Sequence, residues 1–241
     1  MRPDLTRAQT ILGRDPLQNA YPLLRIRQNQ IADCEIIGGS LRLLDAENGK
    51  YLYYAASPQE FCALYAPVRE QAGPCVSLLP DDRLASALPQ MDSRIRFGSF
   101  YQLLAPENMP LQAPAGFRFT PMEPAYFDWV LSVYQHPELN PAFLAMRAHA
   151  PSALAFYGED RQPAGFIMSH CDAELGPVYV APEFRGGGLA RYLLALATAG
   201  FAARGTRPVI YVRQDNPRSL RFLQKAGCPL CARYALWFWR E

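Results

Sequence analysis

The stretch Val178-Tyr179-Val180-Ala181-Pro182-Glu183-Phe184-Arg185-Gly186-Gly187-Gly188-Leu189-Ala190 decides how this chain is read. An apolar run of strand character enters a proline-containing turn, three glycines follow, and Gly188 to Arg204 then shows helical spacing. Glycines let the backbone fold tightly and bring several N–H groups to one point. The first N–H groups of a helix lack intrahelical partners, and the helix dipole favours an anion beside them. The expected ligand is therefore a phosphate or pyrophosphate. A bare flexible turn would not need the apolar strand and helix that flank this one.

Three phosphate-binding patterns use such a turn. The Walker loop needs Gly-Lys-Ser/Thr, but Leu189 and Ala190 follow Gly188. The dinucleotide fingerprint G-x-G-x-x-G needs a glycine where Arg191 stands. The third, Arg/Gln-x-x-Gly-x-Gly/Ala, is met by Arg185, Gly188 and Ala190. In this last pattern the segment resembles the pyrophosphate loop of the GNAT superfamily, the acetyl-CoA-dependent N-acyltransferases. A second block agrees with it. After the apolar strand Pro208 to Val212, the family has a helix that opens on Asn, with a small residue, a Lys and a Gly at set offsets. Asn216, Ser219, Lys225 and Gly227 occupy those offsets.

The resemblance covers about residues 117–241. It implies an α/β fold with a mixed sheet, the GNAT fold, in the C-terminal half. Two central strands splay apart there, and the pantetheine arm of CoA lies between them. On this sequence the implied cofactor residues are Val178, Tyr179 and Val180 along the arm, and Arg185, Gly186, Gly187, Gly188, Leu189 and Ala190 around the pyrophosphate. Asn216 and Ser219 are implied beside the pantetheine or its thiol end. Acetyl-CoA is the implied cosubstrate, with no metal.

The family's chemistry implies direct attack of an amine on the thioester, which asks for a general base. Backbone N–H groups polarise the carbonyl. Glu174, at the start of the loop's strand, is the first candidate base, and Asp172 and His170 are the second choices. All three also fit solvated hairpin positions. Where the family commonly has a tyrosine to protonate the leaving thiolate, this chain has Leu223, with Phe222 beside it. Neither can donate a proton. That leaves water or another tyrosine, Tyr234, as the acid. The departure keeps open a second reading, a catalytically inactive module that senses acyl-CoA.

The N-terminal half carries no phosphate loop. Short strand and helix patterns run to about Leu111, among them helices at Arg7 to Leu12 and Pro16 to Arg25. A helix start at Ser57-Pro58-Gln59-Glu60 leads into Phe61, Leu64, Tyr65 and Val68. The three prolines of Ala105 to Pro114 mark a linker. The expected domains are residues 1–111 and 112–241. The mixed pattern and the opening Asp15-Pro16-Leu17-Gln18-Asn19-Ala20-Tyr21 resemble two-domain GNAT proteins of the glycine N-acyltransferase-like kind, whose first half is a smaller, degenerate GNAT-like domain.

Composition narrows the partners. The chain has 241 residues, 50% hydrophobic and 19% charged, with a net charge of +2. This is globular composition, and it argues against a nucleic-acid partner. No run is long and apolar enough to span a bilayer, so no membrane role is expected. The six cysteines lie in a sequence whose first residues do not read as a secretory signal, which points to reduced thiols and the cytoplasm. Cys228 and Cys231 form a C-x-x-C without a second ligand pair, and read as packed thiols. His136 and His149 stand alone. The expected partner is a small-molecule or peptide amine acceptor. Apolar residues on both faces of the final strand, Tyr234, Leu236 and Phe238 against Trp237 and Trp239, suggest that both are covered, by the N-terminal domain or by a second subunit in a homodimer.

Overall fold

A computed structural model describes residues 5–71, 76–135, 140–147 and 151–240. The chain runs α1 (Thr6–Leu12), α2 (Ala20–Arg27), β1 (Ile31–Ile37), β2 (Ser40–Asp45), β3 (Tyr51–Tyr54), α3 (Pro58–Arg69), β4 (Val76–Leu79), α4 (Leu88–Met91) and β5 (Ile95–Leu104). It continues with β6 (Phe117–Thr120), α5 (Phe127–Val133), α6 (Pro141–Arg147), β7 (Ala153–Tyr157), β8 (Gln162–Cys171), β9 (Glu174–Val180), α7 (Leu189–Ala202), β10 (Val209–Arg213), α8 (Pro217–Lys225) and β11 (Leu230–Arg240). Cys75, His136 and His149 lie outside the described residues. No described helix is long and apolar enough to cross a membrane.

The chain divides into two compact units, Met1–Leu104 with Tyr211–Glu241, and Ala105–Ile210. This differs from a division into 1–111 and 112–241, and hydrogen bonding is the reason. In the first unit β11 lies between β4 and β5, antiparallel to both, with Leu236 opposite Leu79 and Ser99. The last strand of the chain is thus an inner strand of the first unit. Trp237 is covered there, its ring 6.2 Å from that of Tyr21 and 4.8 Å from the Lys50 ammonium, whereas Trp239 stays 38% exposed.

Local chemistry sets the elements of this unit. Ser57 caps α3, its Oγ accepting from Glu60 N, and Pro58 opens the first turn. Phe61, Leu64, Tyr65 and Val68 then fall on one buried face, packed with Tyr53, Leu79, Leu236 and Phe238. The helix expected from Pro16 begins instead at Ala20. Asp15 Oδ1 accepts from Gln18 N, and Asn19 N donates to Asp15 O, so Asp15 to Asn19 form a turn. Arg25 is fully buried and bonds Asp45 through two nitrogens, at 2.7 and 2.8 Å.

In the second unit β6, β7, β8 and β9 pair antiparallel in sequence order. Val209 of β10 pairs in parallel with Glu174 of β9. The core is Met122, Phe127, Val130, Leu144, Leu154, Phe156, Phe166 and Met168, from α5, α6, the sheet and the segment after β6. The helical pattern at Pro124 to Tyr134 is realised as one 3-10 turn followed by α5.

One order of elements occurs twice. β1-β2-β3-α3-β4-α4-β5 and β7-β8-β9-α7-β10-α8-β11 each give three antiparallel strands, a helix, a strand parallel to the third, a helix and a final strand.

Candidate functional site

The glycine loop and α7 belong to the second unit. After β9, Pro182 to Phe184 form one 3-10 turn, and Arg185 Nε donates back to the Val180 carbonyl at 2.9 Å. Gly186 and Gly188 have φ of 90° and 85°, in the left-handed region that disfavours any side chain. Gly188 is the N-cap of the 14-residue α7, and no side chain caps it. The first turn holds no acidic residue. The backbone N–H groups of Gly186, Gly187, Gly188, Leu189 and Ala190 have no hydrogen-bond acceptor among the described residues. Tyr192 N donates to Gly188 O and begins the helical hydrogen bonding. Residues 185–188 are exposed while Leu189 is buried, so the row of donors opens to solvent at its glycine end, beside the positive end of the helix dipole.

β9 leads into this loop with one side open. Its ladder with β10 is recorded only at Val209 and Glu174, and Val209 N donates to Ala173 O. On the other side, Ala181 N bonds Ala164 O, which turns the main chain of Tyr179 toward β8 as well. Alternation then turns the N–H groups of Val178 and Val180 away from β8, toward the open side. The Tyr179 ring stacks on Phe166 at 5.8 Å and lies edge-on to Trp129.

Glu174 is 9% exposed and sits where β9 meets Cys171 of β8 and Val209 of β10. Asp172 is engaged by Arg147 at 3.2 Å and Arg204 at 3.8 Å, and His170 packs beside the Phe143 ring. Arg147 itself was not singled out by the sequence. It is 5% exposed and ties α6 to the end of β8 through Ser169 O and Oγ. A lone arginine closing the apolar run Pro141 to Met146 was the available signal.

Asn216, Ser219 and Tyr234 belong to the first unit. Asn216 caps α8, its Oδ1 accepting from Ser219 N at 3.1 Å. Leu223 is buried. Tyr234 lies opposite Tyr101 across the β11–β5 ladder, ring centroids 5.0 Å apart. The hydrogen bond to Tyr234, with desolvation second, raises the Tyr101 hydroxyl above its ordinary pKa. Cys228 and Cys231 are both buried. The Cys231 thiol donates to Leu17 O and accepts from Gln102 Nε2, and burial pushes its pKa up to about 11.

Residues 117–228 match the acetyltransferase (GNAT) family model. No curated protein matches the chain. Among solved structures, a Drosophila protein is similar over 84% of this chain and 74% of its own, with 16% identity and a TM-score of 0.64. A GCN5-related N-acetyltransferase-like protein of Streptococcus suis is similar over 97% and 100%, with 15% identity and a TM-score of 0.54. A GCN5-related N-acetyltransferase from Sphaerobacter thermophilus is similar over 98% and 93%, with 14% identity and a TM-score of 0.55. At such identities the likeness is one of fold. The chain therefore carries a GNAT-family acetyltransferase domain over residues 117–228 and is an enzyme of the transferase class.

Proposed function

We propose that this protein moves an acyl group, acetyl in the first instance, from acyl-CoA to a primary amine by direct attack. The observation that carries the reading is the row of five acceptor-free N–H groups from Gly186 to Ala190 at the mouth of α7. A diphosphate supplies the acceptors and negative charge such a site lacks. The pantetheine arm then runs along the open side of β9, where Val178 and Val180 present N–H groups. Glu174 serves as general base for the amine, directly or through a water. Asn216 and Ser219 are assigned to the thiol end of CoA and Tyr234 to the leaving thiolate, on the strength of the family motif alone. CoA, when bound, supplies the activated thioester, and no metal enters the scheme.

The N-terminal stretch is read as a degenerate second copy of the same fold. The repeated order of elements supports this. So does the start of α3, where Ser57 and Glu60 take the place of a glycine loop. We place the protein in the cytoplasm, with an amine of small-molecule or peptide origin as acceptor.

One observation favours a module that binds acyl-CoA and transfers nothing: Leu223 is buried and cannot act as an acid. Thiol release from acetyl-CoA over a broad amine panel, run beside calorimetry with CoA, separates the readings. Turnover with any amine establishes the enzyme. Binding without turnover favours the sensor, and absence of CoA binding removes both.

A further inference from the structure

The first unit contains a cavity of its own. β3 and β4 run parallel, and their recorded ladder ends at Leu52 and Leu78. Beyond that point Tyr54 and Ala55 on one side, and Leu79, Pro80 and Asp81 on the other, line a cavity of about 200 Å³. Asp15, Gln18, Asn19, Arg83 and Arg233 complete it. In open α/β sheets the carboxyl ends of parallel strands are where ligands lodge.

Phosphate does not suit this cavity. The helix that follows β3 is already capped by the Ser57 hydroxyl and carries the Glu60 carboxylate in its first turn, where it takes Gly39 N and Ser40 Oγ and repels an anion. The lining instead carries both signs of charge. Asp81, 8% exposed, holds Arg83 through Nε and Nη2, and holds Arg233 through Nη1 at 3.0 Å. Each guanidinium keeps further N–H donors outside these bonds. Asp15 spends one carboxylate oxygen on Gln18 N and keeps the other. Tyr54 adds a hydroxyl. Two carboxylates and two guanidiniums cancel overall, so the complementary ligand is neutral in sum and charged at both ends. The volume lies below the ~300–1,000 Å³ typical of drug-sized pockets, which limits the ligand to a small molecule.

We propose that this cavity binds a small zwitterion of the free α-amino acid class, its carboxylate on Arg83 and Arg233 and its ammonium on Asp15. The site is independent of CoA and of the transfer reaction. It is tested on the full chain without CoA, by calorimetry with each of the common L-amino acids at millimolar concentration. Saturable binding of one or more is expected. Its N-acetyl and its carboxamide derivatives should each bind at least about tenfold more weakly, because each deletes one charge. Asp15→Asn, which keeps the acceptor for Gln18 N, and Arg233→Gln should each weaken binding by about tenfold with unchanged melting. Both side chains are exposed, so folding is spared. No saturable binding by any amino acid overturns the proposal. So does binding that survives both substitutions, or binding indifferent to both derivatives.

Discussion

Gln18 closes on the main chain of Arg233 from both sides: its Oε1 accepts from Arg233 N at 3.1 Å, and its Nε2 donates to Arg233 O at 3.2 Å. A side-chain amide here imitates a strand partner for β11. Gln102 on β5 supports the same turn, donating to Gln18 O at 2.9 Å. Gln18→Ala should cost about 1–2 kcal/mol, the worth of two partly buried hydrogen bonds. Gln18→Glu should cost at least as much, because it faces a second acceptor toward the Arg233 carbonyl. Urea midpoints of the three proteins check this, and a Glu variant as stable as the parent would contradict it.

The Arg25–Asp45 pair has both side chains fully buried. Asp45→Asn removes the buried carboxylate but leaves Glu47 on Arg25 at 2.7 Å, so it should destabilise the protein by about 1–3 kcal/mol. Thermal or denaturant unfolding reads the loss directly.

The glycine loop offers an internal comparison. Gly188 has φ of 85° and Gly187 does not have positive φ, while an added Cβ meets nothing within 4 Å at either. Gly188→Ala should cost about 1–2 kcal/mol from backbone strain alone and lower CoA affinity at least tenfold. Gly187→Ala should leave stability within about 0.5 kcal/mol of the parent. Equal effects of the two substitutions on stability would show that conformation is not what the loop requires.

Glu174→Gln keeps the shape of a buried side chain and removes its basicity. Under the proposed mechanism kcat should fall by about 10²–10⁴ while CoA affinity stays within about twofold. Steady-state kinetics with calorimetry on the same samples decide it, and an unchanged kcat moves the base elsewhere.

Burial raises the Cys231 thiol from 9.0 to about 11. Below pH 9 it is protonated in folded and unfolded chains alike. Between pH 9 and 11 the unfolded chain ionises first, so this thiol's contribution to stability is lost across that window. The decline in stability from pH 9 to 11 should be shallower in Cys231→Ala than in the parent. At pH 8, Cys231 should react with iodoacetamide far more slowly in the folded protein than in urea.

The C-terminal motif was legible because its physics is local. Glycines, an apolar strand and a helix start are contiguous from Val178 to Ala190, and their spacing alone implied open N–H groups. Asn216 was legible for the same reason, as a cap three residues before Ser219. The placement of β11 was not, since its partners β4 and β5 lie more than a hundred residues upstream and no local propensity encodes them. The start of α2 was misplaced because Pro16 fits a first helical turn as well as it fits the Asp15 turn that forms. The shared order of elements in the two halves was hidden too. It survives in strand direction, while the residues at the corresponding helix starts, Ser57 and Gly188, have diverged.

Because β11 lies between β4 and β5, synthesis has a consequence for this chain. The ribosome makes β1 to β5 early, yet their sheet lacks an inner strand until residue 240 has emerged. At about 5–20 residues per second, the edges of β4 and β5 wait roughly 7–27 seconds beyond the completion of β5. During that interval they are unpaired strand edges of the kind that invites aggregation. Arrest of translation shortly before Leu230 should therefore yield nascent chains that engage chaperones more than chains in which β11 has also left the ribosome.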